Sequence, residues 1–247
     1  MRALSKLTLL LAKLYMRDPI AVFFTLLFAP LLVVLLGLVF GNDPDPIFGG
    51  RGYLETNLPA YAAIVIGIVG LLIVPINTVS RRKTGALRRF RVTPLRPLTY
   101  IAADALVYFV MGVLGIVLLF LVGTVGFGIQ PQGSIGEVFL AASVGAFAFL
   151  AVGYVLAGIA PTVQVAQVIG NVPLFPMLIF SGATAPLEVM PERVQSVARL
   201  FPLTQVVTLM RGIWLGEVWS SHLTETVILV GLCLVGVAVA SWLFRWE

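Results

Sequence analysis

The sequence predicts an all-α integral membrane protein with six transmembrane helices, and three observations carry that prediction. First, apolar stretches recur at 20–40, 58–79, 101–125, 138–160, 163–180 and 226–244. Most are long enough to cross a hydrocarbon layer of roughly 30 Å, which takes about 20 helical residues. Second, 60% of the residues are hydrophobic, 11% are charged and mean hydropathy is +1.05. Buried core helices of soluble proteins are shorter, and six in succession do not fit that reading. Third, the cations are sorted. With an even span count both termini share one side. That side holds Arg2, Lys6, Lys13, Arg17, Arg81, Arg82, Lys83, Arg88, Arg89, Arg91, Arg96 and Arg245, twelve of the 16 Lys and Arg. Arg51, Arg193, Arg199 and Arg211 fall on the other side, with eight of the 11 acids. Cytoplasmic loops keep an excess of Lys and Arg, so both termini are expected to be cytoplasmic. Removing one span would scramble the sorting. The connecting loops are too short for a soluble domain, so 1–247 reads as a single transmembrane domain.

Residues 1–17 do not read as a cleavable signal, because Lys13 and Arg17 interrupt the apolar run and no small-residue cleavage site follows. On a helix at ~100° per residue, Arg2, Lys6, Lys13 and Arg17 fall within about 60° of one another. Leu4, Leu7, Leu11 and Leu14 gather opposite. That segregation favours an interfacial helix, with leucines at the acyl boundary and cations at anionic headgroups, over a plain positive flank. Asp18-Pro19 ends it, since the residue before Pro avoids helical geometry. Turn-rich outer loops follow at 41–51 and 126–136. Spans three and four read as simple hydrophobic helices. Ala141 with Gly145, and Gly236 with Ala240, suit close helix contact at four-residue spacing. Residues 160–162 make a short turn. No internal repeat is evident, which argues against an inverted-repeat transporter.

The segment 181–222 carries Pro186, Pro191 and Pro202, yet 194–200 and 206–215 are apolar. It is expected to form an outer re-entrant segment between spans five and six, or helices lying on the outer surface. Irregular backbone at membrane depth persists only against protein or a wet cavity. Several chemistries are excluded. The single His222 and single Cys233 build neither a histidine metal site nor an internal disulfide. There is no Gly-x4-Gly-Lys-Ser/Thr phosphate loop, zincin pair or Gly-x-Ser-x-Gly elbow. No cofactor is therefore expected in this chain. The pI near 9.7 reflects topology rather than nucleic-acid binding.

The basic loop 80–96 has a helix-compatible core that stops at Thr93-Pro94. Leu87 and Phe90 face one way among the cations. Charge alone admits two readings: a stop-transfer cluster that binds anionic lipid, or a docking helix for a cytoplasmic partner.

The run Lys83-Thr84-Gly85-Ala86-Leu87-Arg88-Arg89-Phe90-Arg91-Val92-Thr93-Pro94-Leu95 resembles the cytoplasmic loop of the ABC-2 family of ATP-binding cassette transporter permeases. In that family a Gly-Thr-Leu-like core and a Thr-Pro pair mark the coupling helix that contacts the ATPase. A second match is Ser181-Gly182, Pro186, Met190-Pro191 and Phe201-Pro202-Leu203-Thr204 running to Met210-Arg211-Gly212. It resembles the family's segment between spans five and six. With the N-terminal helix and the six spans, the resemblance covers nearly the whole chain. Two departures stand out. Arg81, Lys83 and Arg88 occupy places that are acidic in many members, and Phe201 stands where many have Asn. The first departure points to acidic groups on the partner. The resemblance implies ATPase-coupling roles for Arg81, Arg82, Lys83, Gly85, Leu87, Arg88, Arg89, Phe90, Arg91, Thr93 and Pro94.

In span five, Gln164, Gln167 and Asn171 share a helical face, and Pro173 and Pro176 free carbonyls further out. Asn77 and Thr78 end span two. These polar groups serve either as interhelical glue, at about 0.6 kcal/mol per contact, or as the lining of a substrate path. The resemblance, in which spans two and five flank the pathway, gives Asn77, Gln164, Gln167, Asn171 and Ser181 as path candidates. Asp104, at the cytoplasmic end of span three, is expected to pair with a loop Arg. Arg211 could meet lipid phosphate or snorkel to the outer interface, and a structural part is the expectation.

Together these readings suggest the membrane subunit of a bacterial ABC exporter in the inner membrane. It would work with an ABC ATPase that binds ATP and magnesium, with a second copy of itself or a related permease, and with membrane lipids. An amphiphilic, drug-like or lipid-linked cargo suits the apolar walls, and polysaccharide, haem-related and ion cargo stay open. The alternatives are an intramembrane lipid-modifying enzyme, which would need a cluster of reactive groups, and a non-transporting scaffold.

Overall fold

The computed structural model describes residues 2–46, 50–84, 97–182 and 191–243. Six of its helices are long and apolar enough to cross a membrane. In chain order the helices are α1 (Arg2–Met16), α2 (Pro19–Phe40, the first span), α3 (Tyr53–Lys83, the second), α4 (Pro97–Phe127, the third), α5 (Ile135–Ile159, the fourth), α6 (Val163–Phe180, the fifth), α7 (Glu192–Ala198), α8 (Pro202–Trp214) and α9 (Leu223–Leu243, the sixth). Between the first two spans a short antiparallel ribbon pairs β1 (Pro44–Asp45) with β2 (Arg51–Gly52). The second span is longer at both ends than its apolar run suggested.

The core is built around α3. Of its apolar window 83% is buried, against 17% for the fifth and sixth spans. Side chains all round α3 from Leu54 to Val79 meet other helices. Small residues set the approach of its neighbours. A Cβ at Gly145 of α5 would stand 2.8 Å from Val206 of α8, and one at Gly236 of α9 would stand 2.8 Å from Ala151 of α5. These are the four-residue small pairs visible in the sequence.

Two π-turns interrupt the first and second spans, at Phe23–Leu27 and Val69–Ile73. Each lies just ahead of a proline, Pro30 and Pro75. A proline offers no N–H to the carbonyl four residues back and its ring crowds that carbonyl, so the backbone widens there. The displaced carbonyls meet glycines of adjacent spans. A Cβ would come within 2.0 Å of the Thr25 oxygen at Gly115, 2.2 Å of the Gly70 oxygen at Gly153, and 2.1 Å of the Leu71 oxygen at Gly170.

Two expectations are corrected. The leucine face of α1 is not all turned to lipid. Leu7 and Leu11 are buried with Tyr15, one line at four-residue spacing, and the Tyr15 ring meets Tyr108 of α4 edge-on at 5.4 Å. Leu14 remains exposed, and so do Lys6, Lys13 and Arg17. The segment after span five also does more than lie on a surface. Its longer helix, α8, buries Leu203, Val206, Val207, Met210, Ile213 and Trp214 inside the bundle, with Trp214 stacked on Phe120 at 4.9 Å. Its strong amphipathicity is what a helix packed on protein requires.

Candidate functional site

The chemistry concentrates at the basic end of the bundle, where the 80–96 loop leaves α3 and returns into α4. Arg81 and Arg82 sit in the last turn of α3. Adjacent residues on a helix point about 100° apart, so the two arginines reach different neighbours. Arg81 Nη1 lies 2.6 Å from Asp104 Oδ1 and donates to the Tyr100 hydroxyl at 3.3 Å. Asp104 is fully buried, and its Oδ2 accepts from the Tyr154 hydroxyl of α5 at 3.1 Å. Arg82 donates to the carbonyls of Ala157, at 3.3 Å, and Ala160. Those carbonyls close α5, where the last helical oxygens have no partner within the helix. Lys83 is exposed. The expected pairing of Asp104 is present, with Arg81 as the partner. Gly85, Leu87, Arg88, Arg89, Phe90, Arg91, Thr93 and Pro94 lie outside the described residues.

Beside this network a cleft of about 410 Å³ opens between the first, second and fifth spans. Phe24, Phe28, Leu72, Phe175 and Leu178 form its apolar walls, and Asp18, Asn77, Gln167 and Asn171 bring polar groups to it. Asp18 caps the first span by accepting from Ile20 N and Ala21 N, both at 3.1 Å, and its other oxygen accepts from Asn77 Nδ2 at 3.0 Å. Its position is steadied from α1. The Tyr15 hydroxyl donates to Ala21 O at 3.3 Å and pairs with Thr25 Oγ1. Burial pushes the Tyr15 phenol up to about 12, against a lowering hydrogen bond from Thr25 and with an added push from Asp18. Tyr15 therefore keeps its proton at neutral pH.

The structure brings Asn77, Gln167 and Asn171 to one cleft. Gln164 is exposed and is not among the cleft residues. Ser181 is buried at the opposite end of α6. Sequence reasoning missed Asp18, which it took only as a turn, and the aromatic walls. It also missed Tyr100 and Tyr154, which read as ordinary membrane residues.

Arg211 takes the structural part expected of it. Its Nη2 donates to Asn57 Oδ1 of α3 at 3.0 Å and to Gly182 O at 2.7 Å. It joins α8 to the second span and to the end of the fifth. Phe201, which departs from the pattern noted above, stacks on Phe180 with centroids 6.4 Å apart.

A family model for the ABC-2 type transporter matches residues 4–215. The chain belongs to the ABC-2 type transporter family. It is 26% identical over 203 residues to the inner membrane transport permease YhhJ of Escherichia coli (strain K12), a match covering 79% of this chain and 52% of that protein. The protein of the same name from Shigella flexneri matches to the same extent. The chain spans about half the length of the curated relatives it matches. Family membership and the six apolar helices make this ABC-2 protein a multi-pass membrane protein and a transporter permease component rather than an enzyme.

Proposed function

We propose that this chain is the membrane-spanning permease subunit of an ABC exporter. It moves an amphiphilic, drug-like or lipid-linked molecule out of the cytoplasm with energy from a separate ABC ATPase, which binds ATP and magnesium. The observation that carries the reading is the join of two features at one end of the bundle. A strongly basic loop leaves α3 there, and the apolar cleft with polar groups at Asp18, Asn77, Gln167 and Asn171 opens beside the same helix. A push on the loop reaches the cleft through α3 itself.

In this reading the basic end faces the cytoplasm of a bacterial cell and the protein lies in the inner membrane, as the name of its relatives supports. α1 lies at the interface with Lys6, Lys13 and Arg17 toward anionic lipid. Residues 80–96 carry the coupling helix, and the 181–222 segment enters and leaves on the outer side. A second copy, or a related permease, completes the cleft, which is open along the uncovered face of α6. Gln167 and Asn171 then line the path. Switching requires that the ATP-bound ATPase favour one arrangement of the spans.

The test is purification from a native membrane with its companion ATPase. A stoichiometric ATPase is expected, and Arg88→Glu with Arg89→Glu is expected to abolish ATP-driven movement of a fluorescent amphiphile in vesicles. Unchanged movement after deleting that ATPase would refute the proposal.

A further inference from the structure

We infer that Arg81 and Asp104 form a clasp across the root of the 80–96 loop, so that the basic ends of spans two, three and four move as one body when the loop is pushed. This rests on the coupling reading proposed above. The two legs of the loop are the end of α3 and the start of α4. Arg81 lies four residues before the first undescribed residue of the loop, Gly85. Its partners, Tyr100 and Asp104, lie one helical turn apart on the returning leg.

A single carboxylate joins three spans. One Asp104 oxygen holds Arg81 of α3 at 2.6 Å, and the other holds Tyr154 of α5 at 3.1 Å. Arg82 repeats the tie by reaching the carbonyls that close α5. Asp104 has no exposed surface, so water does not replace a partner pulled away from it. Separation leaves a charge stranded in a dry site, and that resists splaying of the legs far more than apolar contact does. The clasp also ends where motion would begin. The α3 segment below the π-turn, Val74–Lys83, carries both arginines and Asn77. The far wall of the cleft, Gln167 and Asn171, lies on α6, which packs on the same α3 segment through apolar contacts, Val79 and Ile76 with Ala166 and Ile169. A clasped unit turning against α6 changes the width of the cleft; unclasped legs would spend the push in bending. Arg81, Asp104, Tyr100 and Tyr154 are thus positioning residues that touch neither cargo nor ATPase.

The experiment uses the full chain with its ATPase in nanodiscs, with Cys233→Ala and nitroxide pairs diluted into unlabelled chain. One pair, at Lys83 and Pro161, joins the end of α3 to the residue that follows the Ala160 carbonyl held by Arg82, and so reports the clasp. The other, at Lys83 and Val168, crosses the cleft. In the wild type, ATP with vanadate is expected to shift the second distance and leave the first unchanged. In Asp104→Asn the first distance shifts and the cross-cleft shift is lost while ATP hydrolysis continues, with Arg81→Lys intermediate. Wild-type distances in Asp104→Asn, or a wild-type Lys83–Pro161 shift as large as the cross-cleft one, would overturn the clasp. If Asp104→Asn does not fold, Arg81→Lys decides; if neither folds, the pair is a folding element and the inference fails. A wild-type chain that holds no ATPase and ignores nucleotide sinks the coupling reading instead. The nucleotide-free Lys83–Pro161 distribution then decides the clasp: broader in Asp104→Asn supports it, equal width overturns it.

Discussion

At the residue scale, two arginines sit in similar environments with different partners. Arg81 meets a buried carboxylate, whereas the described contacts of Arg211 are an amide oxygen and a backbone oxygen. Their deletion should therefore read differently. Removing the charge from Asp104 as Asp104→Leu strands Arg81, and breaking one half of a buried pair costs about 3–5 kcal/mol. Replacing both members, Arg81→Met with Asp104→Leu, is expected to recover part of that loss. Unfolding of the two variants in detergent micelles checks the order, and a double variant weaker than the single one would contradict it. Asn57→Leu removes a fully buried acceptor from Arg211 and is expected to cost about 1.5–3 kcal/mol, the worth of a hydrogen bond to a charged group. The sequence made only part of this legible. Asp104 stood out because an acid in an apolar run demands a partner. The structural part of Arg211 was expected but its partner was not legible, because Asn57 lies 154 positions away and carries no charge to announce the pairing. Tyr154 was invisible for the same reason, 50 positions from Asp104.

At the element scale, the spans were legible and their irregularities were not. Apolar length fixes where a helix runs in lipid, and the six spans follow from it, although the second runs past its apolar stretch at both ends. Pro30 and Pro75 lie inside two of the spans, and proline gives a kink, a break or a π-turn according to what packs beside it. Here glycines on three other spans receive the displaced carbonyls, so the π-turns belong to pairs of helices rather than to one. Gly153→Ala and Gly170→Ala place a methyl against backbone oxygens, at 2.2 and 2.1 Å before relaxation. Overpacking of this kind typically costs about 1–3 kcal/mol. Gly112→Ala is the control: nothing lies within 4 Å of the added carbon, and a change within ~0.5 kcal/mol is expected. Equal thermal stability of all three variants would show that the π-turns relax freely. The helix after span five exposes another limit of sequence reading. Charges and prolines around 191–202 left a re-entrant segment and surface helices both open, and the amphipathic 202–214 stretch buries its apolar face within the bundle.

At the scale of the whole molecule, the unequal burial of the spans separates a scaffold from a working face. The second span is enclosed, while the first and fifth leave a cleft that opens outward beside them. Span count and charge sorting were readable because both are one-dimensional patterns. The cleft was not, since Asp18, Phe24, Asn77 and Asn171 meet only after three helices have packed. Gln167 separates the two readings of the polar strip. It is exposed and, among the described residues, no hydrogen bond holds its side chain. Interhelical glue predicts that Gln167→Ala weakens the fold. A path residue predicts little change in stability, within ~0.5 kcal/mol as for other uncoupled sites, together with slower ATP-driven movement of a fluorescent amphiphile. The two measurements belong on the same preparation. Loss of stability matched by loss of movement would return Gln167 to a packing role, whereas lost movement in an equally stable protein places the cargo against α6.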